Sequence, residues 1–535
     1  MITPTRRPLT LTAAAALALA CLGTAPSVVA SAAPTHGPAA GLPLGPESLP
    51  EQRVTRTLQP GVTFTSIDRG APDASVPWVV ELNIPTGETS PDPDAPARSV
   101  QDRASADKLV TELAGAGFNG QAQPVVQPRV ADVAGGVIGY RVRLTDAFAG
   151  KAEADAAVKR VKDAGFSAKS WYSGWDGGTE AAGHWKVNVL TIDPNSFKGK
   201  LLGSYGPDLE RRETVSELAR QADAVAAVNA GFFTMDPKAG AEGDPAGIAV
   251  YQGKTESEPV AHRPALVLRE DARGTRVTRP SWSGRVSVRG DSVALDGRNR
   301  VPGLIRNCGG DATDLPTALP RHDVTCTDPD EVVAFDPAFG ASTPTGPGAE
   351  AVLDGHGAVL RVQQTRGVAL AEGEQSLQGI GNRADFVSRL RPGQHVSVHE
   401  KLNAGTGITP GSTVINGGPQ LLQSGRVHIT QATDGMAQAA NPSFDYGWVL
   451  QRNPRTFAGV DGQGRTVLVT VDGRQPDQLG LSIPETAEVA RALGLREAIN
   501  LDGGGSTAMS VDGSLVNSPS DTAGERPVGD AIVIG

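Results

Sequence analysis

The period of apolar residues changes several times along this chain, and each change marks a segment. Leu9 to Leu22 is an almost unbroken apolar block, preceded by Arg6 and Arg7 and followed by small residues. With Ala30-Ser31-Ala32 as a cleavage site, residues 1–32 read as a secretory signal peptide, too short for a comfortable membrane span. Residues 33–72 are rich in Pro, Ala, Gly and Ser and read as a flexible linker. Between 73 and 176 strand-like and helix-like periods alternate in duplicate. Trp78–Leu82, a helix from Ala106 to Gly117 and Ala122–Val126 form one βαβ unit. Tyr140–Leu144, a helix from Ala154 to Gly165 and Ala168–Tyr172 form another. Both helices stop at Ala-Gly-Phe, where a glycine can serve as a C-terminal cap. Two such units predict a ferredoxin-like split sheet.

From about 185 to 535 the alternation is mostly of period two. It predicts strands at Lys186–Leu190, Ala265–Leu268, Val396–His399 and Thr466–Val471. Two helices interrupt it, Thr214 to Ala222 and Pro484 to Leu493. The second opens with Ser482 and Glu485 in capping-box spacing and Pro484 in the first turn. Residues 270–350 read as a loop-heavy insertion between strands. The fold class is α+β: a ferredoxin-like N-terminal domain, then a larger, mixed, mostly β domain.

Composition narrows the function. Of 535 residues, 65 are Gly and 40 Pro, with few aromatics, which suits a loop-rich, strand-rich extracellular protein. A net charge of −10 argues against nucleic acid and offers no basic tract to anionic membranes. No membrane span is read beyond the leader. Removing the leader leaves Cys308 and Cys326, an even pair that reads as a disulfide in an exported chain.

The candidate chemistry lies where apolar strands end in a polar residue and a glycine. Asn229-Ala230-Gly231-Phe232-Phe233, Ile415-Asn416-Gly417-Gly418, Pro454-Arg455-Thr456 and Thr470-Val471-Asp472-Gly473-Arg474 belong to this set. The most telling is Asn500-Leu501-Asp502-Gly503-Gly504-Gly505-Ser506-Thr507. Three successive glycines cost backbone entropy, a cost tolerated where backbone must approach something closely or take positive φ. Asp472 and Asp502 can supply paired carboxylates for glycoside cleavage. Arg455, Arg474 and Arg526 can each grip an anionic oxygen. Asparagine amides both donate and accept, as sugar hydroxyls require. Glu242 and Asp244 are lesser candidates, as Ca²⁺ ligands or site lining. No His/Cys spacing predicts zinc, and no phosphate-binding loop predicts a nucleotide cofactor.

The duplicated segment resembles a SPOR domain, a family that binds peptidoglycan glycan on its sheet face. Residues 185–535 resemble the phosphodiester glycosidase family, through the motifs above together with Asn517-Ser518-Pro519-Ser520-Asp521 and Gly524-Glu525-Arg526-Pro527-Val528. Ala230 stands where that family often has Gly, and Asn453 where a His is common. The resemblance implies a secreted hydrolase, acting on cell-wall or extracellular glycopolymers, that splits a sugar from a phosphodiester at the anomeric carbon, with N-acetylglucosamine as the sugar. It implies Asp472 and Asp502 as nucleophile or base, in either order, with Arg455 and Arg526 on the phosphate. Asn229, Gly231, Asn416, Gly417, Gly418, Arg474, Gly503, Gly504, Ser506, Thr507 and Asp521 would line the substrate. The alternative reading is a non-catalytic wall protein that merely holds glycan.

Overall fold

A computed structural model describes residues 41–84, 98–178, 182–260, 263–306, 313–316, 324–405, 408–437 and 441–535. The signal-peptide reading, the first part of the linker reading and Cys308 lie outside the described residues.

The centre of the molecule is an eight-stranded antiparallel sheet. Its strands run in the order Glu51–Gln59, Val62–Gly70, His184–Ile192, Thr466–Val471, Arg455–Asp461, Leu495–Asn500, Gln420–Gln423, Arg426–Val427. The inner strands are buried on both faces, which is why their sequences are almost continuously apolar. Val187, Val189, Val469 and Val471 face a core that includes the helix Ile483–Ala492. Leu190, Ile192, Leu468 and Ala458 face the opposite way, into a core shared with a second sheet. That second sheet has Ala226–Asn229 at its middle, between Met509–Val511 and Ala531–Ile534.

The two outer strands at 51–70 correct the linker expectation. The Pro/Gly-rich composition of 33–72 hides a hairpin in which Val62 and Phe64 face the core shared with the second sheet and Ile67 faces the opposite core. Polar Thr and Ser occupy the intervening places, so the segment lacks the apolar density that marks the inner strands.

Residues 270–350 are likewise not mostly loop. Ser281–Val288, Asp291–Leu295, Val332–Phe335 and Gly346–Leu353 are strands, joined by Val359–Arg366, Gln375–Gly379 and Ser397–Asn403 in two small sheets. These enclose a core of their own around Leu295, Val332, Leu353, Leu377 and Phe386. The insertion lies in the chain between the strands Arg276–Thr278 and Ser412–Asn416. Its strands have half-exposed faces, so charge and glycine mask their alternation.

Both expected helices form as the caps require. Thr214 caps Val215–Gln221 and Ser482 caps Ile483–Ala492, each with a complete capping box. The N-terminal segment folds as a ferredoxin-like sheet in the order Ala168–Tyr172, Trp78–Leu82, Gly136–Phe148, Gly120–Gln127, all antiparallel. The helices Arg103–Gly115 and Lys151–Asp163 cover one face. The repeated Ala-Gly-Phe now has a physical reason. Gly117 and Gly165 take φ of +85° and +93°. The Phe118 and Phe166 amides then donate back to the Leu113 and Val161 carbonyls, closing the same C-terminal cap twice.

Deleting residues 41–72 strips two strands from the central sheet and removes five buried core side chains, Leu42, Leu44, Val62, Phe64 and Ile67, each worth about 1.5–3 kcal/mol. That loss rivals the roughly 5–15 kcal/mol stability of an ordinary domain. The truncated chain is expected to lose its cooperative thermal transition; an unchanged melting curve would show that the hairpin is dispensable.

Candidate active site at the ends of the central strands

Antiparallel pairing gathers the motifs. Arg455 opens its strand opposite Val471, and Phe457 pairs with Asn500. The first residue of one strand therefore lies beside the last residues of its two neighbours, and Asp472 and Asp502 follow directly on those neighbours. The second sheet joins at the same end, where the Asp502 amide donates to the Ala230 carbonyl at 3.0 Å.

Asp472 is fully buried. Its Oδ2 accepts the Ser518 amide at 3.0 Å, while Oδ1 has no hydrogen-bond partner among the described residues. Burial pushes its pKa up to about 7, against the opposing pull of the Ser518 amide and the Lys186 charge. Thr507 Oγ1, Asn500 Oδ1 and Ser520 Oγ are also buried without partners.

Asp502 is half-buried, and its Oδ1 accepts the Gly503 amide at 3.0 Å. The glycines after it answer to specific neighbours. A Cβ on Gly503 would sit 2.9 Å from the Pro454 carbonyl oxygen, and Gly504 takes φ of +60° with the Arg474 guanidinium against it. Gly505 lies under the Arg526 guanidinium. Close approach is the reason for the run, but what approaches is this chain's own backbone and arginines.

Arg455 is buried, and among the described residues its hydrogen bonds go only to main-chain carbonyls. These are Leu481 at 2.8 Å, Trp448 at 2.6 Å and Gln451 at 3.4 Å. The guanidinium carbon lies 5.3 Å from the centre of the Trp448 ring. Burial, with Arg474 nearby, brings its pKa down to about 9. Arg474, in a left-handed conformation at φ +60°, donates to Asn453 Oδ1 at 3.1 Å. Asn453, the departure from the family's His, thus positions an arginine.

Several residues expected on the substrate serve the frame instead. Asn229 donates to the Asp502 carbonyl at 2.7 Å and accepts from Thr456 Oγ1 and the Ala508 amide. It latches the glycine turn to both sheets. Asn416 exchanges two hydrogen bonds with the Phe232 backbone, and the Gly231 amide is taken by Asp530 at 2.7 Å. Gly417 packs on the Asn500 carbonyl, whose oxygen accepts the Gly418 amide. Ser506 is buried within the turn, its amide donating to the Gly503 carbonyl. Arg526 and Asp521 form a bidentate pair at 2.7 and 3.0 Å, so Arg526 is committed to a neighbouring acid. Glu242 pairs with Arg212. Asp244 is buried, neither of its carboxyl oxygens is hydrogen-bonded among the described residues, and burial drives it toward the neutral form.

The sequence reading missed Asp530 and the turn 442–451. Asp530 bridges Gly231 to the Tyr251 hydroxyl, with its pKa pushed up by burial to about 6. The turn carries Phe444, Tyr446 and Trp448, a cluster of aromatics in a chain poor in them, and that was the signal available.

Known proteins resemble this chain. The profile of the phosphodiester glycosidase family matches residues 347–535, and that of the SPOR domain matches 97–170. A putative exported protein of Burkholderia pseudomallei K96243 has a solved structure that is 33% identical. The match covers 93% of this chain and 98% of that one, with a TM-score of 0.81. Residues 347–535 form a phosphodiester glycosidase domain. Mouse N-acetylglucosamine-1-phosphodiester alpha-N-acetylglucosaminidase is 34% identical over 116 residues, and the human protein of that name 36% over 110. The matched stretches span 22% and 21% of those relatives. A hypothetical protein from Synechocystis, 18% identical with a TM-score of 0.52 over 91% of this chain and 79% of its own, shares the fold.

Because burial raises the Asp472 pKa, ionising it costs folded-state stability. The cost is absent below the unfolded value near 4 and complete above about 7. Asp472→Asn, which cannot ionise, is expected to gain on the native protein by on the order of 2–4 kcal/mol as pH rises from about 4 to about 8. Denaturant midpoints at both pH values test this; a pH-independent difference contradicts the assignment.

Proposed function

We propose that this protein is a secreted glycosidase that cleaves the glycosidic bond of sugar-1-phosphodiesters, of the N-acetylglucosamine-1-phosphodiester class. Its site is the shared end of the central strands. The observation that carries the reading is the buried carboxyl of Asp472, its pKa raised by burial, at the same end of the central sheet as Arg455, a buried cation held by carbonyls rather than by an acid. A phosphate monoester leaves more readily than an alkoxide. The main demand is then charge: a carboxylate for the oxocarbenium-like carbon and cations for the departing phosphate.

In this reading Asp502 faces the anomeric carbon and Asp472 handles the proton. Arg455 and Arg474 receive the phosphate, and Arg526 holds Asp521 in place. The mouse, bovine and human relatives carry this activity in their names. The leader-like segment and the exported Burkholderia relative support secretion. The SPOR domain supports a setting among cell-wall or extracellular glycopolymers.

Asp472→Asn and Asp502→Asn are each expected to lower kcat on an N-acetylglucosamine-1-phosphodiester by roughly 10²–10⁴-fold, read as free sugar released. Near-native turnover by both variants would end this reading.

A further inference from the structure

We propose that the SPOR domain of this chain is a positioning element of the catalytic site, holding Arg455 and Arg474 in place through Tyr446. The proposal rests on the reading of those arginines as phosphate ligands.

In the ferredoxin-like sheet, Val80, Leu82, Val142 and Leu144 point toward the two helices. The intervening residues Glu81, Arg141 and Arg143 therefore point to the other face. In a free domain of this shape that face would be open. Here Glu81 is 0% and Arg143 5% exposed. The turn 441–451 of the glycosidase domain covers them.

Charged groups make the contact. Glu81 Oε2 accepts from Arg143 at 2.8 and 3.0 Å and from the Tyr446 hydroxyl at 3.0 Å. Arg141 donates to the same hydroxyl oxygen at 2.8 Å. Asp176 receives Arg141 at 3.0 Å, Arg143 at 2.7 Å and the Trp171 indole at 3.0 Å. Lys169 completes the ring at 3.2 Å from Glu81. Ser443 Oγ adds a second anchor, accepting from the Val100 amide and donating to its carbonyl, both at 2.9 Å. Burying such a network costs desolvation that a plain apolar contact would avoid. Its return is geometric: Tyr446 is fixed by two opposite charges and by burial, which keeps its hydroxyl protonated.

Tyr446 begins the turn on which Arg455 rests. The Trp448 and Gln451 carbonyls accept from Arg455, and the Trp448 ring lies under it. The Gly447 and Gln451 carbonyls hold the Asn453 amide at 3.0 and 3.2 Å, and Asn453 in turn holds Arg474. A path of hydrogen bonds and the covalent segment 446–451 therefore runs from Glu81 and Arg141 to both arginines. The middle of the sheet face is also closed to any glycan while this contact stands.

The test uses the full chain. Tyr446→Phe removes one hydroxyl and leaves the packing; Ser443→Ala is the second variant. In both, kcat/KM on the sugar-1-phosphodiester is expected to fall roughly three- to tenfold. Adding Tyr446→Phe to Arg455→Lys is expected to cost little more than Arg455→Lys alone, because both act on one group. Hydrogen exchange at residues 447–453 is expected to speed up, with the helices Arg103–Gly115 and Lys151–Asp163 unchanged. Multiplicative losses in the double variant, or unchanged exchange at 447–453, would overturn the proposal. A native protein with no turnover defeats the reading of the site, while the exchange result still decides the coupling.

Discussion

A buried guanidinium with no carboxylate hydrogen-bonded to it among the described residues must be solvated by something, and Arg455 is solvated by the carbonyls of Leu481, Trp448 and Gln451. That requirement fixes where the 446–451 turn runs and how it meets the helix Ile483–Ala492. Arg452, next to Gln451, is itself tied by a buried ion pair to Glu485 of that helix. The strand beginning at Arg455 then takes its place between two antiparallel neighbours, and Asp472 and Asp502 arrive at its start. Acid, cation and glycine turn share one location because of strand pairing, although 47 residues separate the outermost of them in sequence.

Electrostatics at that location are uneven by construction. Burial favours the neutral form of Asp472 and lowers the pKa of Arg455. The residues that look most like ligands in sequence, Asn229 and Asn416, are spent on rigidity. Asn229 ties the glycine turn to two sheets, and Asn416 ties the start of the 232–234 segment. A site that must stabilise developing charge benefits from such latches, because a preorganised frame does not have to reorganise during reaction.

Features governed by local rules were legible in the sequence. The capping boxes at Thr214 and Ser482, the twin Ala-Gly-Phe caps and the period-two strands around 466–471 depend on neighbours a few residues away. So does the strand–polar–glycine pattern that located Asp472 and Asp502. What was not legible depends on distant partners. Asn229 looks the same in sequence whether its amide meets a sugar or the Asp502 carbonyl. Arg526 reads as a free cation until Asp521 is seen beside it. The 51–70 hairpin has an ordinary polar alternation that only a neighbouring sheet edge turns into structure. The 446–451 turn owes its course to Glu81 and Arg141, more than three hundred residues earlier.

The central claim is that the strand-end site breaks a sugar–oxygen bond rather than a phosphorus–oxygen bond. Turnover of an N-acetylglucosamine-1-phosphodiester in ¹⁸O-labelled water separates the two. The account predicts label in the released sugar and none in the phosphomonoester. Label in the phosphate would show attack at phosphorus and contradict it.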